Sequence, residues 1–171
     1  MIIVNTGNGK GKTTAAIGQI IRSLGRGWKV CLIQLFKGRK FYGEQKILAK
    51  LQNLDFYSFA PKHPFCFPGV SSEEVAGECQ QALRLFDHIV EGRKRYQLIV
   101  LEEFNIALRD GYITLKDLFY TLDKADSRTH VLVTGRGAPA KLIRKADMVT
   151  EMKEIKHPFK KGISAQKGLE F

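Results

Sequence analysis

The sequence predicts an α/β domain with a mostly parallel sheet and helices on both faces. Three observations carry this. Apolar, β-branched runs of strand length alternate with stretches of helical period, the order that builds βαβ units. Several of these runs, among them Val30-Cys31-Leu32-Ile33 and Leu98-Ile99-Val100-Leu101, are continuously apolar, as strands covered on both faces are. Turns rich in glycine or lysine follow three of the strand runs, at residues 6–14, 37–40 and 135–139, at the carboxyl ends where open α/β sheets bind ligands. A chain of 171 residues supports one such domain with a full core and is short for two. Residues 1–171 are therefore read as a single domain, with residues 153–171 as a tail without periodicity.

The first strand, Ile2-Ile3-Val4, runs into the turn Thr6-Gly7-Asn8-Gly9-Lys10-Gly11-Lys12-Thr13-Thr14, and residues 15–24 follow with apolar positions at helical spacing. Strand, glycine-rich loop and helix in that order make an anion site: glycines leave backbone N–H groups turned inward, and the helix start adds partial positive charge. The loop fits the phosphate-binding pattern G-x-x-x-x-G-K-[ST] with one departure, Thr6 in place of the first glycine. Lys12 would reach the β- and γ-phosphates, the Thr13 hydroxyl would face Mg²⁺, and Lys10 adds a second cation.

Gly25-Arg26-Gly27 ends the helix, and residues 28–36 read as a buried strand. Lys37 and Arg39 follow at its carboxyl end, where they either meet phosphate or, as loop cations commonly are, are simply solvated. Residues 44–51 read as a short helix and residues 54–59 as a strand. Pro61, Pro64 and Pro68 exclude helix or central strand from the next segment, so Phe65 and Phe67 sit on a loop. Two aromatics there either anchor in the core or face a ligand, and from the residues alone core anchoring comes first.

Ser71 caps a helix running to about Gly92, with Glu73 and Glu74 in its first turn. Residues 96–103 form an apolar strand ending in Glu102-Glu103, an acid pair at a strand tip of the kind that holds Mg²⁺ beside a phosphate loop. Glu103 is favoured over Glu102. A helix over residues 115–122, a strand over 129–134, a second glycine-rich turn at 135–139 and a helix starting near Pro139 follow, then an edge strand over 147–152. Arg136 on that turn either touches nucleotide or partner, or is an exposed structural arginine.

Composition narrows the function classes. With 44% hydrophobic and 26% charged residues, and no apolar run of membrane-spanning length, the chain reads as a soluble globule. Its start leaves no room for a secretory signal, so a cytoplasmic location is expected. Cys31, Cys66 and Cys79 are odd in number and lack a C-x-x-C spacing, which argues against a disulfide framework or a zinc site. The net charge of +11 suits a polyanionic ligand, but the cations are dispersed, and a solvated basic surface is the commoner explanation. His63, His88, His130 and His157 show no metal-ligand spacing.

Thr6-Gly-Asn-Gly-Lys-Gly-Lys-Thr-Thr14, Ile33-Gln-Leu-Phe-Lys-Gly38, Leu101-Glu-Glu-Phe-Asn105, Thr134-Gly-Arg-Gly-Ala-Pro139, Ala146-Asp-Met-Val-Thr-Glu151 and residues 156–171 together resemble the P-loop type of ATP:corrinoid adenosyltransferase, over nearly the whole chain. The resemblance implies a RecA-like P-loop fold and a reaction in which the cobalt of a Co(I) corrinoid attacks the 5′ carbon of ATP, releasing triphosphate. By the same resemblance Gly7 to Thr14 bind the triphosphate, Thr13 and Glu103 match the magnesium positions, and Phe65 and Phe67 match aromatics that displace the lower axial ligand of cobalt. That raises the ligand-face reading of the two rings above core anchoring. A homodimer and an electron-donating reductase or flavin protein are the implied partners; a membrane and nucleic acid are not. Three departures stand out: Glu102-Glu103 where relatives have Asp-Glu, Gly137 where an asparagine is common, and no extra amino-terminal segment. The rival readings are a nucleic-acid-stimulated RecA-like ATPase and a nucleotide-binding module without turnover.

Overall fold

The computed structural model describes residues 1–38, 42–64 and 67–170. Six strands, β1 (Ile2–Thr6), β2 (Val30–Leu35), β3 (Leu54–Phe59), β4 (Leu98–Glu102), β5 (His130–Thr134) and β6 (Met148–Glu151), form one sheet in the order β3-β2-β4-β5-β1-β6. Every pairing is parallel, so the expected mostly parallel sheet is parallel throughout the described residues. All six strands therefore end on one side, and the turns beyond them share that edge.

Side-chain alternation divides the core into two layers. Val30, Leu32, Leu98, Val100 and Leu132 face one way and pack with Ala16 and Ile20 of α1 (Lys12–Leu24) and Leu48 of α2 (Gly43–Leu48). Cys31, Ile33, Leu35, Ile99, Leu101 and Val133 face the other way. They meet Cys79 and Phe86 of α3 (Ser72–Glu91), Phe104 of α4 (Phe104–Arg109), Leu118 of α5 (Leu115–Lys124) and Leu142 of α6 (Ala140–Lys145). Helices thus cover both faces, and Cys31 is a fully buried core residue.

Local chemistry accounts for the boundaries. The Ser71 hydroxyl accepts the Glu74 N–H at 3.4 Å and opens α3, and Thr114 does the same for Asp117 at 3.1 Å in α5. Helix α1 starts three residues before its apolar period, which puts Lys12, Thr13 and Thr14 in its first turn. Helix α4 has no counterpart in the sequence reading. It follows Glu103, whose backbone is left-handed at φ 64°, and it has no side-chain cap to announce it. In the tail, residues Pro158–Lys161 form a single 3₁₀ turn. None of the described helices is long and apolar enough to cross a membrane.

Candidate active site

Between the end of β1 and the start of α1 only five residues turn the chain. Gly7 and Gly11 take φ of +95° and +117°, a conformation that excludes most side chains. The left-handed residue thus falls one place after Thr6, which explains how a threonine stands where the motif has glycine. The Thr6 hydroxyl accepts the Ala138 N–H at 3.1 Å and so ties the loop to the second glycine-rich turn. On its other side the loop leans on the chain beyond β6: Gly9 N–H donates to the Met152 carbonyl at 2.7 Å, and a Cβ on Gly9 would lie 2.7 Å from the Lys153 carbonyl carbon.

Lys12 is buried at the centre of this loop, its Nζ donating to the carbonyls of Gly7 and Gly9, both at 2.7 Å. An ammonium has three N–H groups, so one remains for an anion. Burial, and then Arg136, lower the pKa of Lys12, with Glu103 and Glu102 opposing them. In the first turn of α1 the Thr13 hydroxyl donates to Glu102 Oε1 at 2.5 Å and accepts from Lys37 Nζ at 3.0 Å. Lys37 Nζ lies 3.2 Å from the same Glu102 oxygen and 3.5 Å from Glu44. Burial alone would lower the Lys37 ammonium, but Glu102, Glu44 and Glu103 outweigh it and hold the pKa above its ordinary value. The lysine is therefore a fixed positive charge.

Glu103 sits where β4 turns into α4, its N–H donating to the Thr134 hydroxyl at 3.2 Å. Burial, and next the neighbouring Glu102 carboxylate, push its carboxyl up to about 7. Glu102 Oε2 and Glu103 Oε2 are buried with no hydrogen-bond partner among the described residues. Unpartnered buried carboxylate oxygens are costly unless a cation or proton joins them. With the Thr13 hydroxyl beside them they make an oxygen donor set of the kind Mg²⁺ takes, so these residues fit that ion.

A cavity of about 1050 Å³ opens over this edge. Asn8, Gly9, Lys10, Gly11, Lys12, Thr13, Thr14, Lys37, Glu103 and Arg136 all line it, so most of the sequence-predicted site is brought together. Thr6 and Gly7 stand behind it as loop scaffold. Phe67 is not among its walls. It lies on the loop after β3, 46% exposed, with the Lys62 ammonium 5.7 Å over its ring, so for Phe67 the core-anchoring reading is set aside. Arg39, Phe65 and Cys66 lie outside the described residues.

Sequence reasoning missed two parts of the site. Asn105 is fully buried, and its Nδ2 donates to the carbonyls of Gly135 at 3.1 Å and Asn5 at 3.4 Å, which fixes the glycine turn that carries Arg136. No spacing signalled it. The far wall of the cavity is the tail, through Glu154, His157, Phe159, Lys160, Ser164 and Leu169. Without period or buried stripe, that segment gave no indication of where it lies.

The family model described as ATP:corrinoid adenosyltransferase BtuR/CobO/CobP matches residues 1–171. The chain is 36% identical over 171 residues to the corrinoid adenosyltransferase of Pseudomonas aeruginosa, covering 100% of this chain and 83% of that one. It is 31% identical over 176 residues to the corrinoid adenosyltransferase CobA of Salmonella typhimurium, covering 100% and 85%. Against the corrinoid adenosyltransferase of Escherichia coli K12 the identity is 30%, with 100% and 85% covered. Over its full length, then, this chain belongs to the ATP:corrinoid adenosyltransferase BtuR/CobO/CobP family, and its activity is that of a transferase.

Proposed function

We propose that the loop from Thr6 to Thr14 holds the triphosphate of ATP so that the 5′ carbon, and not a phosphorus, is open to attack by the Co(I) centre of a corrinoid. The cobalt–carbon bond forms as the bond from that carbon to the triphosphate oxygen breaks, and both electrons of the broken bond leave with triphosphate. The nucleophile is the substrate's own metal, so the protein's task is placement and charge stabilisation. The observation that carries this reading is the convergence of Lys12, Lys37, Thr13 and Glu103 on the lining of a cavity large enough for a nucleotide, with Glu102 bound to Thr13 and Lys37.

Lys12 directs its remaining N–H at the phosphates, and Lys10 and Arg136 add positive charge from the rim. Loop N–H groups and the start of α1 supply fixed dipoles that need no reorganisation as negative charge grows on the leaving triphosphate. Thr13, Glu103 and Glu102 would hold Mg²⁺, which would supply positive charge against the oxygens of the triphosphate. Lys37 holds the Glu102 carboxylate in place beside Thr13. Phe65 and Phe67 present apolar rings to the lower face of the corrinoid and exclude the ligand that would otherwise hold cobalt from below. The ring of Phe67, exposed on its loop, is in keeping with that role.

Two partners complete the proposal. An electron-donating reductase or flavin protein supplies the electron that takes Co(II) to Co(I). A second copy of the chain forms a homodimer, a reading supported by edge strand β6, exposed at every residue, with Met148 at 50% and Val149 at 40%. Sedimentation checks the dimer: a monomer at micromolar concentration rejects it.

The reaction is tested by incubating the protein with ATP, Mg²⁺ and chemically reduced cobalamin, then following the corrinoid spectrum and identifying the phosphate product. Adenosylcobalamin with inorganic triphosphate is expected. Orthophosphate with an unchanged corrinoid would favour the RecA-like ATPase instead, and no turnover would favour a binding module.

A further inference from the structure

The loop after β3 is exposed at Pro61, Lys62, Phe67, Pro68 and Gly69, but one polar side chain on it turns inward. The His63 side chain is 14% exposed, and its Nε2 lies 2.9 Å from Asp110 Oδ2. Its ring stands edge-on to Phe36, with centroids 4.8 Å apart, and 6.0 Å from Tyr112. The same residue holds the aromatic that follows: the His63 carbonyl accepts the Phe67 N–H at 3.1 Å, and the Phe67 carbonyl accepts the Val70 N–H at 3.3 Å.

Asp110 is itself fixed. Arg109 grips it with two parallel hydrogen bonds, Nε to Oδ1 at 2.6 Å and Nη2 to Oδ2 at 2.8 Å, and this pairing together with His63 holds the carboxyl below its usual range against the effect of burial. Arg109 in turn lies over Gly137, where a Cβ would come within 2.9 Å of its Cδ. A larger residue at 137 would displace that arginine. Helix α4 therefore has the Glu102-Glu103 pair at its start and this clamp at its end, about 9 Å apart along a rigid turn and a half.

We propose that His63 is a positioning residue: through Asp110 and Arg109 it docks the aromatic loop on the end of α4 and so fixes where Phe67 stands relative to the phosphate site. This rests on the reading of Phe67 as a ring that faces the corrinoid. Asp110 and Arg109 are the anchor that His63 holds to, and neither lines the cavity. Gly137 serves the same end by leaving room for the arginine.

The test uses the full chain with His63→Ala, His63→Gln, Asp110→Asn and the His63→Ala/Asp110→Asn double variant. Hydrogen exchange at the Phe67 amide reads the loop directly, and turnover is compared from Co(II) under a weak reductant and from preformed Co(I). For His63→Ala the Phe67 amide should exchange about tenfold faster and Co(II)-fed turnover should fall about tenfold, the effect of losing one charge-assisted hydrogen bond. Co(I)-fed turnover should stay within about twofold, because no group touching the phosphates has changed. His63→Gln, which keeps an N–H donor, should recover most of the loss, and the double variant should be no worse than either single. Unchanged exchange in His63→Ala, or additive losses in the double, would overturn the proposal. A Phe67→Ala variant that loses as much from Co(I) as from Co(II) would reject the corrinoid-facing role of the ring, and exchange at the Phe67 amide in His63→Ala still decides whether His63 sets the loop.

Discussion

The two walls of the cavity are built from different material. On the sheet side, Lys12, Lys37 and Glu102 are buried, Lys12 is held by two loop carbonyls while Lys37 and Glu102 pair with each other, and each stands at a strand end or in the first turn of a helix. On the tail side, Phe159 is 76% and Leu169 71% exposed, and the main ion pair, Lys160 to Glu154 at 2.7 Å, is a surface one. A wall that must meet growing negative charge gains from groups that cannot move, since any reorganisation would add to the barrier. A wall built from an exposed segment gains nothing from being locked.

If that contrast is correct, the largest effects belong to the sheet side. Lys12→Ala should lower kcat/KM for adenosylation of preformed Co(I) corrinoid by about a thousandfold, on the scale of losing a fixed charge that acts on the leaving group. Deletion of residues 158–171 costing as much in the same assay would break the contrast. Glu102→Gln comes next: it takes away the nearer carboxylate of the buried Lys37 ammonium and leaves Glu44, at 3.5 Å, as its ion-pair partner among the described residues, and urea unfolding should show a loss of about 3 kcal/mol. A change under about 0.5 kcal/mol would mean that the pair is not buried in solution in the sense described here.

An effect of similar size, confined to one pH window, follows from Glu103 in the metal-free protein. Its folded pKa, about 7, lies above the ordinary 4.5, so the folded state binds this proton more tightly than the unfolded chain. Stability from this group is therefore fully present at low pH and is lost as pH rises from about 4.5 to about 7, by a total on the order of 3 kcal/mol. Thermal unfolding across that window, with Glu103→Gln as control, checks it; the variant should lack this part of the pH slope. Smallest of all, Leu169→Ala on the tail side should change stability by less than about 0.5 kcal/mol, as exposed substitutions do.

The same contrast explains what could be read from the chain alone. Strand β3 lies over residues 54–59 as expected, because an aromatic and apolar run bounded by turn residues has few other places to go. The Ser71 cap and the glycines of the phosphate loop were equally legible, since each is a local rule with a local cause. Lys37 was visible as a cation at a strand end, but not as the partner of Glu102, because that pairing follows from β2 and β4 lying side by side. Helix α4 escaped notice because it is six residues long and begins after a left-handed glutamate instead of a capping side chain. Asn105 and the tail escaped for a related reason: what they do depends on neighbours brought near by the fold, and no periodicity encodes that.

The bond from Gly9 to the carbonyl of Met152 has a consequence for how this site changes over time. The acceptor is main chain, so no replacement of the side chain at position 152 removes it, and drift there leaves the loop's outer support intact. Position 9 has no such latitude: any residue with a Cβ runs into the backbone at 153. One end of the contact is held by what glycine lacks, while the other is indifferent to sequence. Replacing Gly9 in a library should therefore be punished severely, even as substitutions at 152 are tolerated.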